Sequence, residues 1–436
     1  MHMYIFTCST GETFQFYLFC ISMTFSQLNP MFTLEQRKQR IERLKQLCPV
    51  SGECVLFGRG EEEFQQWFQD IRKAGITSIR PIGGESNNGF VRELKRSVDG
   101  YDSYVVLKSN LERTSDNLYY EWYVGQYLNT FMNRFPLFVK TYGVYEYDNE
   151  VDKAIMQKNS DLDVLPNLKE TTMQRSIEEP ENICIVVQQV HQAISFKSLL
   201  DQFTLTPTEE LKHEILCVLY QVFFVLPLIP GFSHNDLHYE NVILTPANGK
   251  YYQYEYTKGH TFIFQCMYAA KIIDYGRCIY PGTTWLKGEL DDFSTEKEQT
   301  DAGYPWKEVD INPCSALDYR LIHYCMGLGV LPATFFDSIR KIKDPAFRGS
   351  ICGTTVNTYI RDLRIPFTRF GVPDMYEVAN QLEALIQPHT YALPRACTIH
   401  VSDVGPMRVD WPQAAGTRRR KRKARKSIRL WYGSKR

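Results

Sequence analysis

The apolar and polar positions of the chain follow helical and strand periods in succession, which predicts a mixture of both kinds of element. Residues 33–48 are highly charged but carry apolar residues at helical spacing, so we expect a helix that ends before Pro49. Residues 104–108 (YVVLK) are a β-branched run between turn-forming residues, which predicts a strand. In residues 117–131 apolar side chains recur every three or four positions, which predicts a second helix.

The second half of the chain begins with a long apolar helix. We expect a capping box that starts at Thr206, with Pro207 at the first helical position, and burial of residues 215–226. The aromatic-rich insert over residues 248–268 contains two turn dipeptides, which predicts a β-hairpin. A short apolar strand is expected immediately before Asp274.

Composition places the chain among ordinary globular proteins. Of its 436 residues, 44% are hydrophobic, 14% aromatic and 23% charged, which excludes intrinsic disorder, collagen-like repeats and a small disulfide scaffold. At about 150 residues per domain, the length predicts two or three domains. The cysteines include no C-x-x-C pair, so a zinc ribbon and a thioredoxin-like site have no support. We expect reduced, buried thiols in a cytosolic or nuclear environment.

The formal net charge is zero, but the charges are distributed unevenly. Residues 417–436 carry eleven Lys and Arg and no acidic residue, which leaves 39 basic against 50 acidic residues in the remainder. So dense a positive cluster cannot fold alone, and we assign residues 406–436 to an extended, solvated tail. We expect the tail to bind nucleic-acid phosphates or to act as a nuclear localisation signal. A solubilising tail that folds back on the acidic body is the alternative.

The N-terminal thirty residues include an apolar, aromatic run over residues 14–25. Twelve residues are too few to cross a membrane, which takes about 20. No Lys or Arg precedes Arg37, so a signal peptide is not indicated. We therefore expect residues 1–30 to be an extension upstream of the functional part, with Met31 as an alternative start, and no association with a membrane.

Residues suited to nucleotide chemistry occur in five motifs along the chain. The first, residues 84–91, has the spacing G-x-G-x-x-G-x-V with a serine in the second glycine place. Small residues there let backbone N–H groups approach phosphate oxygens, although an ordinary turn has the same composition. The members of this motif are Gly84, Ser86, Gly89 and Val91.

The second and third motifs supply an expected ion pair. Lys108 ends the predicted strand, and Glu121 is the only acidic residue of the predicted helix over residues 117–131. A carboxylate beside an apolar stripe is costly to bury unless it is paired. We therefore expect Glu121 to pair with Lys108, and a surface glutamate is the alternative.

The fourth and fifth motifs bring polar side chains to two loops. Residues 231–244 contain His-x-Asp-Leu-x-x-x-Asn, which places Asp236 and Asn241 five residues apart before an apolar run. There the carboxylate can orient or deprotonate a hydroxyl, and the amide can bind a metal. Asp274 follows the later predicted strand in an Asp-Tyr-Gly turn, where it can supply a second ligand to Mg²⁺.

Taken in this order, the five motifs resemble the protein-kinase superfamily over residues 76–386. The resemblance implies an α+β, two-lobe fold, with a β-rich N-lobe at residues 76–190 and a mainly helical C-lobe at residues 191–405. It implies ATP and Mg²⁺ as cofactors and phosphoryl transfer to Ser and Thr hydroxyls of proteins. On the basis of this resemblance we expect the chain to be a serine/threonine-protein kinase.

The resemblance also implies a role for each motif residue. Asp236 would be the catalytic aspartate, and Asn241 and Asp274 would be the metal ligands. Lys108 and the glycine-rich loop would hold the nucleotide phosphates, and Glu121 would pair with Lys108.

Three further positions follow from the same resemblance. Residues 187–191 (VQQVH), which include Gln189, would form the hinge that receives adenine. His234 would be the structural histidine of the catalytic loop, and Asp318 would anchor that loop from a later helix.

The sequence departs from the protein-kinase pattern at His238, where those enzymes usually carry a phosphate-contacting lysine. Aminoglycoside and choline phosphotransferases also have a histidine there, so we count His238 among the catalytic residues. The separation of Asn241 from Asp274 is longer than usual, and no Ala-Pro-Glu motif follows. A small-molecule phosphotransferase is therefore the first alternative. The second is a non-catalytic, DNA-binding virion protein with a kinase-like fold.

A narrower resemblance is to the serine/threonine kinases of large DNA viruses of the iridovirus and ascovirus kind. It rests on residues 120–129 (YEWYVGQYLN), residues 139–143 (VKTYG) and residues 234–238 (HNDLH). This resemblance implies a viral kinase that acts in the host cytoplasm or nucleus or is carried in the virion.

The segment from Cys48 to Cys54 is similar to a two-cysteine adaptor segment in proteins of those viruses. It would make residues 31–75 a helical docking module for a viral or host protein. Two unrelated cysteines near a turn are the alternative.

Overall fold

The computed structural model describes residues 34–47, 76–82, 89–111, 117–158, 166–247, 251–255, 261–282, 317–339, 341–342, 372–386, 398–402 and 407–410. It divides the chain into two compact units, Met1–Arg43 and Leu44–Arg436. Several predicted features lie outside the described residues: Gly84, Ser86, the segment from Cys48 to Cys54, and residues 411–436 of the basic tail. The start of the segment assigned to the tail is described, and there Arg408–Asp410 form a strand that pairs with Thr398–Ser402.

The described residues form a mixed α+β structure. The helices are α1 Leu34–Leu47, α2 Leu118–Asn129, α3 Glu150–Lys158, α4 Met173–Glu178, α5 Phe196–Leu205, α6 Glu209–Val225, α7 Arg320–Gly327 and α8 Met375–Leu385. The strands are β1 Ile76–Pro81, β2 Gly89–Val98, β3 Tyr101–Asn110, β4 Thr141–Tyr147, β5 Leu168–Glu170, β6 Ile183–Gln188, β7 Ile194–Ser195, β8 Val242–Pro246, β9 Tyr251–Glu255, β10 Thr261–Gln265, β11 Tyr268–Ile272, β12 Lys341–Ile342, β13 Val372–Pro373, β14 Thr398–Ser402 and β15 Arg408–Asp410. Helix α1 confirms the charged helix predicted near the N-terminus.

A six-stranded antiparallel sheet has the strand order β1-β2-β3-β6-β4-β5. Strands β2 and β3 are joined by Asp99 and Gly100, whose φ angles of 48° and 73° match the primed turns that suit a twisted hairpin. Side chains of β3 alternate between buried and more exposed, as expected where one face of a strand packs on the core. The strand predicted over residues 104–108 is thereby confirmed.

Helix α2 packs against this sheet and confirms the second predicted helix. It begins after Asn117, whose side chain accepts a hydrogen bond from the Tyr120 N–H at 2.9 Å. Gly125 faces Thr141 of β4 so closely that a Cβ at this glycine would overlap the threonine side chain. The glycine therefore allows the close approach of α2 to β4.

Helix α6 is the apolar core helix that the sequence predicts, but it starts later than expected. Its N-cap is Thr208, which accepts from the Leu211 N–H at 3.2 Å. The predicted cap at Thr206 is wrong, because the N–H of that residue donates to the last turn of α5 and ends that helix. Pro207 accordingly precedes α6 and does not open it.

The burial of α6 agrees with the prediction that residues 215–226 lie inside the protein. Among the described residues, Glu209–Leu228 is the one stretch that is long and apolar enough to cross a membrane. Of its most apolar window, 78% is buried inside the protein. In this structure the stretch is therefore a core helix.

Three small sheets accompany the helices. Strands β7, β8 and β11 form an antiparallel sheet with β8 in the middle. Strands β9 and β10 form the predicted hairpin, and β14 adds to β9 in parallel. Strands β12 and β13 pair as a short ribbon. The addition of β14, more than a hundred residues further along the chain, was not foreseen from the sequence.

The cysteines that the structure describes are free and buried: Cys184, Cys217, Cys266, Cys278 and Cys325. Burial raises the thiol pKa of four of them, Cys184, Cys217, Cys278 and Cys325, which favours the neutral, unreactive form. The expectation of free, buried thiols is confirmed for the five cysteines that the structure describes.

Candidate functional site

Lys108 lies at the centre of a cluster of three charges. Its Nζ donates to Glu121 Oε2 at 2.8 Å and to Asp274 Oδ1 at 2.6 Å. Strand β3 supplies the lysine, α2 supplies the glutamate, and the turn after β11 supplies the aspartate. The ion pair expected between Lys108 and Glu121 is therefore present, and Asp274 joins it from 166 residues further along the chain.

The protonation of this cluster follows from its charges. Burial lowers the pKa of Lys108, but the neighbouring carboxylates of Asp274 and Glu121 outweigh it, so the pKa is raised overall. Burial likewise raises the pKa of Asp274, and the ammonium group of Lys108 reverses that shift, so the pKa is lowered overall. Lysine and aspartate are both charged at neutral pH, which keeps the aspartate available as an anionic ligand.

The backbone at Asp274 is held in an uncommon conformation. Its φ of 67° lies in the left-handed region, which few residues other than glycine adopt. The next residue, Tyr275, is buried, and its hydroxyl accepts from the Val139 N–H at 2.9 Å and donates to the Ile272 carbonyl at 2.8 Å. These contacts fix the turn that presents the carboxylate of Asp274 to Lys108.

The loop between α6 and β8 carries the His-x-Asp-Leu-x-x-x-Asn motif. His234 is buried, and its Nε2–H donates to the Ile273 carbonyl at 3.0 Å, so this loop is bound to the residue before Asp274. Burial lowers the pKa of His234, which keeps the ring neutral. The role predicted for this histidine, that of a structural group, agrees with these contacts.

Asn241 closes the same loop. Its Nδ2 donates to the Asp236 carbonyl at 2.9 Å, and its own carbonyl accepts from the Ile273 N–H at 3.0 Å. The amide nitrogen is thus directed at the loop, so the amide oxygen is the atom that could bind a metal. The structure brings Asn241, Asp236 and the turn of Asp274 into one hydrogen-bonded unit.

Asp318 anchors the loop between α6 and β8 through hydrogen bonds to three consecutive residues, as expected. Its Oδ2 accepts from Ser233 Oγ at 3.2 Å and from the His234 N–H at 3.1 Å, and its Oδ1 accepts from the Asn235 N–H at 2.8 Å. Burial raises the pKa of Asp318 to about 7, against the opposing effect of these donors. Asn235 adopts φ of 62°, and the carboxyl group of Asp318 stabilises this left-handed residue.

Two arginines that the sequence did not single out contact the Asp236 carboxylate. Arg320 Nη1 lies 2.7 Å from Oδ1, and Arg277 Nη1 lies 3.5 Å from Oδ2. His238 Nε2 is 3.9 Å from the same Oδ2, and burial lowers the pKa of this histidine, so it is neutral at pH 7. Arg320 follows the predicted anchor Asp318 by two residues, but no local pattern indicates its contact with a loop 84 residues earlier.

The described part of the glycine-rich motif lies on β2. A Cβ at Gly89 would overlap the Ser109 carbonyl, so only glycine allows this approach of β2 to β3. Val91 pairs with Lys108 across the two strands. Gln189 follows β6, and its Nε2 donates to Glu93 at 3.3 Å, so its side chain is directed back to the sheet.

These residues include oxygen donors and a cation, groups that would suit a divalent metal ion together with phosphate oxygens. Asn241 and Asp274 offer an amide and a carboxylate oxygen, the hard ligands that Mg²⁺ prefers. No group of three or more His, Cys, Asp and Glu residues suited to a metal occurs among the described residues. Mg²⁺ is commonly held by one or two protein ligands together with substrate phosphates, so the two ligands fit this ion.

The sequence matches no protein-family model, and no curated protein matches it. The geometry of the site and the motifs that form it are therefore the basis on which the function of the chain is inferred.

Proposed function

We propose that this chain is a two-lobe, protein-kinase-like enzyme that transfers the γ-phosphoryl group of ATP to Ser and Thr hydroxyls of proteins. The observation that carries the proposal is the convergence of Lys108 with Glu121 and Asp274 beside the loop of Asp236 and Asn241. These are the charged and amide groups that phosphoryl transfer needs, and they come from four separate segments.

The proposed lobes correspond to two kinds of architecture. The antiparallel sheet and α2 would make up the N-lobe, which carries Lys108 and Glu121. Helices α5 to α8 and the catalytic loop would make up the C-lobe. Residues 187–191 comprise the last two residues of β6 and the first three of the link to β7. Adenine would bind between the lobes along this backbone, and the side chain of Gln189 would stay on the sheet.

Asp236 would act on the acceptor. It would orient the hydroxyl, whose oxygen attacks the γ-phosphorus while the bond from that phosphorus to the bridging oxygen of the β-phosphate breaks. The hydroxyl proton would pass to the Asp236 carboxylate, and ADP would leave. Arg320 holds Oδ1, so Oδ2 is the oxygen with the longer contacts and the one that would receive the hydroxyl.

Lys108 would act on the nucleotide. Two of its three N–H donors serve Glu121 and Asp274, so the third can bind a phosphate oxygen without breaking the ion pairs. Asn241 and Asp274 would hold Mg²⁺, which neutralises phosphate charge when it is bound. The chain has no covalent chemistry to perform, since positioning and charge account for catalysis of this reaction.

The test is γ-phosphoryl transfer from Mg²⁺-ATP by the wild type and by Asp236→Asn, which keeps the shape of the side chain. Acceptors are casein, a basic protein, the enzyme itself, choline and an amino sugar. We expect phosphoserine or phosphothreonine with the wild type and a loss of about 10²–10⁴-fold in the variant. Asp201→Asn is the matched control, because Asp201 lies on the surface of α5 in an exposed pair with Lys197.

Other outcomes would redirect the assignment. Transfer to choline or an amino sugar alone would indicate a small-molecule phosphotransferase, the activity that His238 favours by resemblance. ATP binding without transfer to any acceptor would indicate a non-catalytic protein. Equal activity of Asp236→Asn and Asp201→Asn would contradict the role given to Asp236.

A further inference from the structure

Two tyrosine hydroxyls join α2 to backbone segments of the candidate site. Tyr120 Oη donates to the Cys278 carbonyl at 2.5 Å, and Tyr127 Oη donates to the Pro230 carbonyl at 2.6 Å. The rings of both tyrosines contact the ring of Tyr280, with centroids 6.2 and 5.4 Å apart. Helix α2 is therefore attached to these segments at two points, about two helical turns apart.

The segments that accept these hydrogen bonds belong to the same unit as the catalytic loop. Ser233 and Ile279 exchange both of their backbone hydrogen bonds, at 3.0 and 2.8 Å. The Cys278 N–H donates to the Tyr275 carbonyl at 3.1 Å, within the turn that follows Asp274. Helix α2 is thus bonded to the backbone that presents Asp274 and, through it, to the loop.

The position of α2 decides whether one lysine can serve two carboxylates. Lys108 Nζ lies 2.8 Å from Glu121 on α2 and 2.6 Å from Asp274 on the turn. The two carboxylates repel each other, so both pair with the lysine only while α2 and the turn keep a fixed separation. The hydrogen bond from Tyr120 joins these two elements directly, one residue before Glu121 and four residues after Asp274.

The Tyr120 hydroxyl is suited to setting this separation. Tyr120 is buried, and a buried hydroxyl is costly without a partner, so its bond to the Cys278 carbonyl is strongly favoured. Contact with the ring of Tyr280 alone would allow α2 to slide, whereas a hydrogen bond fixes both distance and direction. The bond is formed by neutral groups, so it holds the two elements together independently of their charges.

Resting on the proposed phosphoryl transfer, we propose that Tyr120 is a positioning residue, whose hydroxyl holds α2 against residues 278–280. It keeps Glu121 at the separation from Asp274 at which Lys108 pairs with both. Tyr120 acts on the nucleotide through this ion-pair cluster, since the cluster orients the ammonium group that would bind phosphate.

The experiment compares Tyr120→Phe with Tyr119→Phe in the full-length chain. Each variant loses one hydroxyl of α2 and keeps the ring, but the Tyr119 hydroxyl bonds to Tyr123 of the same helix and to the backbone of Met173. With an acceptor that the wild type phosphorylates, we expect Tyr120→Phe to lower kcat/KM for ATP about threefold to tenfold, the effect of one hydrogen bond. The KM for the acceptor should stay the same, and Tyr119→Phe should leave both parameters unchanged.

A double-mutant cycle tests whether Tyr120 acts through Glu121. Glu121→Gln keeps the shape of the side chain and removes the charge that pairs with Lys108. In this background Tyr120→Phe should lower kcat/KM for ATP by less than about twofold, because the interaction that it positions is already lost. A hydroxyl that only stabilises the fold would give the same factor in both backgrounds.

Hydrogen exchange of the α2 amides, measured without nucleotide, gives a readout that does not depend on catalysis. Exchange should be faster in Tyr120→Phe than in the wild type, because α2 loses one of its attachments, and Tyr119→Phe should exchange like the wild type.

Three results would overturn the inference. The first is an unchanged kcat/KM for ATP in Tyr120→Phe, and the second is an equal loss with and without Glu121→Gln. The third is a higher KM for the acceptor with an unchanged kcat/KM for ATP, which would assign the hydroxyl to acceptor binding.

Failure of the proposed function is distinguishable from these results. If the wild type transfers phosphate to no acceptor, the proposed function is overturned. Faster exchange of α2 in Tyr120→Phe would then still support the positioning of α2 by this hydroxyl, and unchanged exchange would overturn that as well.

Discussion

Replacing Lys108 by methionine removes the cation that pairs with two carboxylates at once. In the wild type its Nζ lies 2.8 Å from Glu121 and 2.6 Å from Asp274. Methionine fills a similar volume but leaves both negative charges in place. Glu121 is almost fully buried, so it cannot turn into water to escape the repulsion.

The size of the effect follows from the burial of the three groups. Removing one partner of a fully buried ion pair costs about 3–5 kcal/mol. The side chains of Lys108 and Asp274 are 28% and 33% exposed, so solvent screens part of the interaction. We therefore expect Lys108→Met to lower the free energy of unfolding by about 2–3 kcal/mol at pH 7.

Urea unfolding followed by tryptophan fluorescence measures this loss, since Trp122 is the residue next to Glu121 on α2. The matched control is Lys197→Met, which breaks an exposed pair with Asp201 at 2.5 Å and should cost less than about 0.5 kcal/mol. The cost at Lys108 should shrink at pH 5: without Lys108, burial is no longer opposed by the ammonium group and raises the pKa of Asp274, so protonation at lower pH removes its stranded charge.

The reasoning would be refuted if Lys108→Met were no less stable than the Lys197→Met control. It would also be refuted if the loss of stability were the same at pH 5 and at pH 7. Either result would mean that the three charges contribute little to folding, and that the cluster in the structure does not carry the energy assigned to it.

Two further predictions concern buried carboxyl groups. Burial raises the pKa of Glu214 to about 8. Between pH 4.5 and pH 8 the folded state therefore keeps a proton that the unfolded state has released, so the stability of the protein falls as the pH rises through this range. Glu214→Gln keeps an acceptor for the Met267 N–H and should remove this fall in stability. At pH 8 the variant should therefore be more stable than the wild type by up to about 5 kcal/mol, as measured by thermal unfolding at a series of pH values. The prediction would be contradicted if the stability of the variant fell with pH as steeply as that of the wild type. Asp318→Asn should lose about 1–3 kcal/mol and reduce turnover, because one amide oxygen cannot serve all three donors. The control is Asp374→Asn at the N-cap of α8, which should change stability by under about 0.5 kcal/mol. A loss of stability as large in this control as in Asp318→Asn would count against the role of Asp318 as the anchor of the loop.

The elements that the sequence predicted correctly are those specified by local patterns. The strand that carries Lys108, the helix that carries Glu121 and the hairpin within residues 248–268 each follow from local signals: a β-branched run, a helical period and two turn dipeptides. The pairing of Lys108 with Glu121 could also be expected, since burial of a charge demands a partner.

The parts that were missed or wrong depend on contacts between distant segments. The N-cap of α6 was placed at Thr206, although α5 already uses that residue to end its last turn. Arg320 reaches Asp236 across 84 residues, and nothing in its neighbourhood distinguishes it from a surface arginine. The pairing of β14 with β9 is likewise set by how the chain returns, which periodicity does not encode.

The backbone of each of the two loops has one residue in the left-handed region, and at Asp274 this residue also supplies a charged group to the site. Asn235 and Asp274 both adopt the left-handed conformation, with φ of 62° and 67°. Glycine would relieve the strain at either position, although Asn and Asp tolerate it better than other residues. At Asp274 glycine would also remove the carboxylate that binds Lys108 at 2.6 Å. The strain is therefore best understood as the cost of presenting a charged group at this turn, which buried neighbours such as Tyr275 offset.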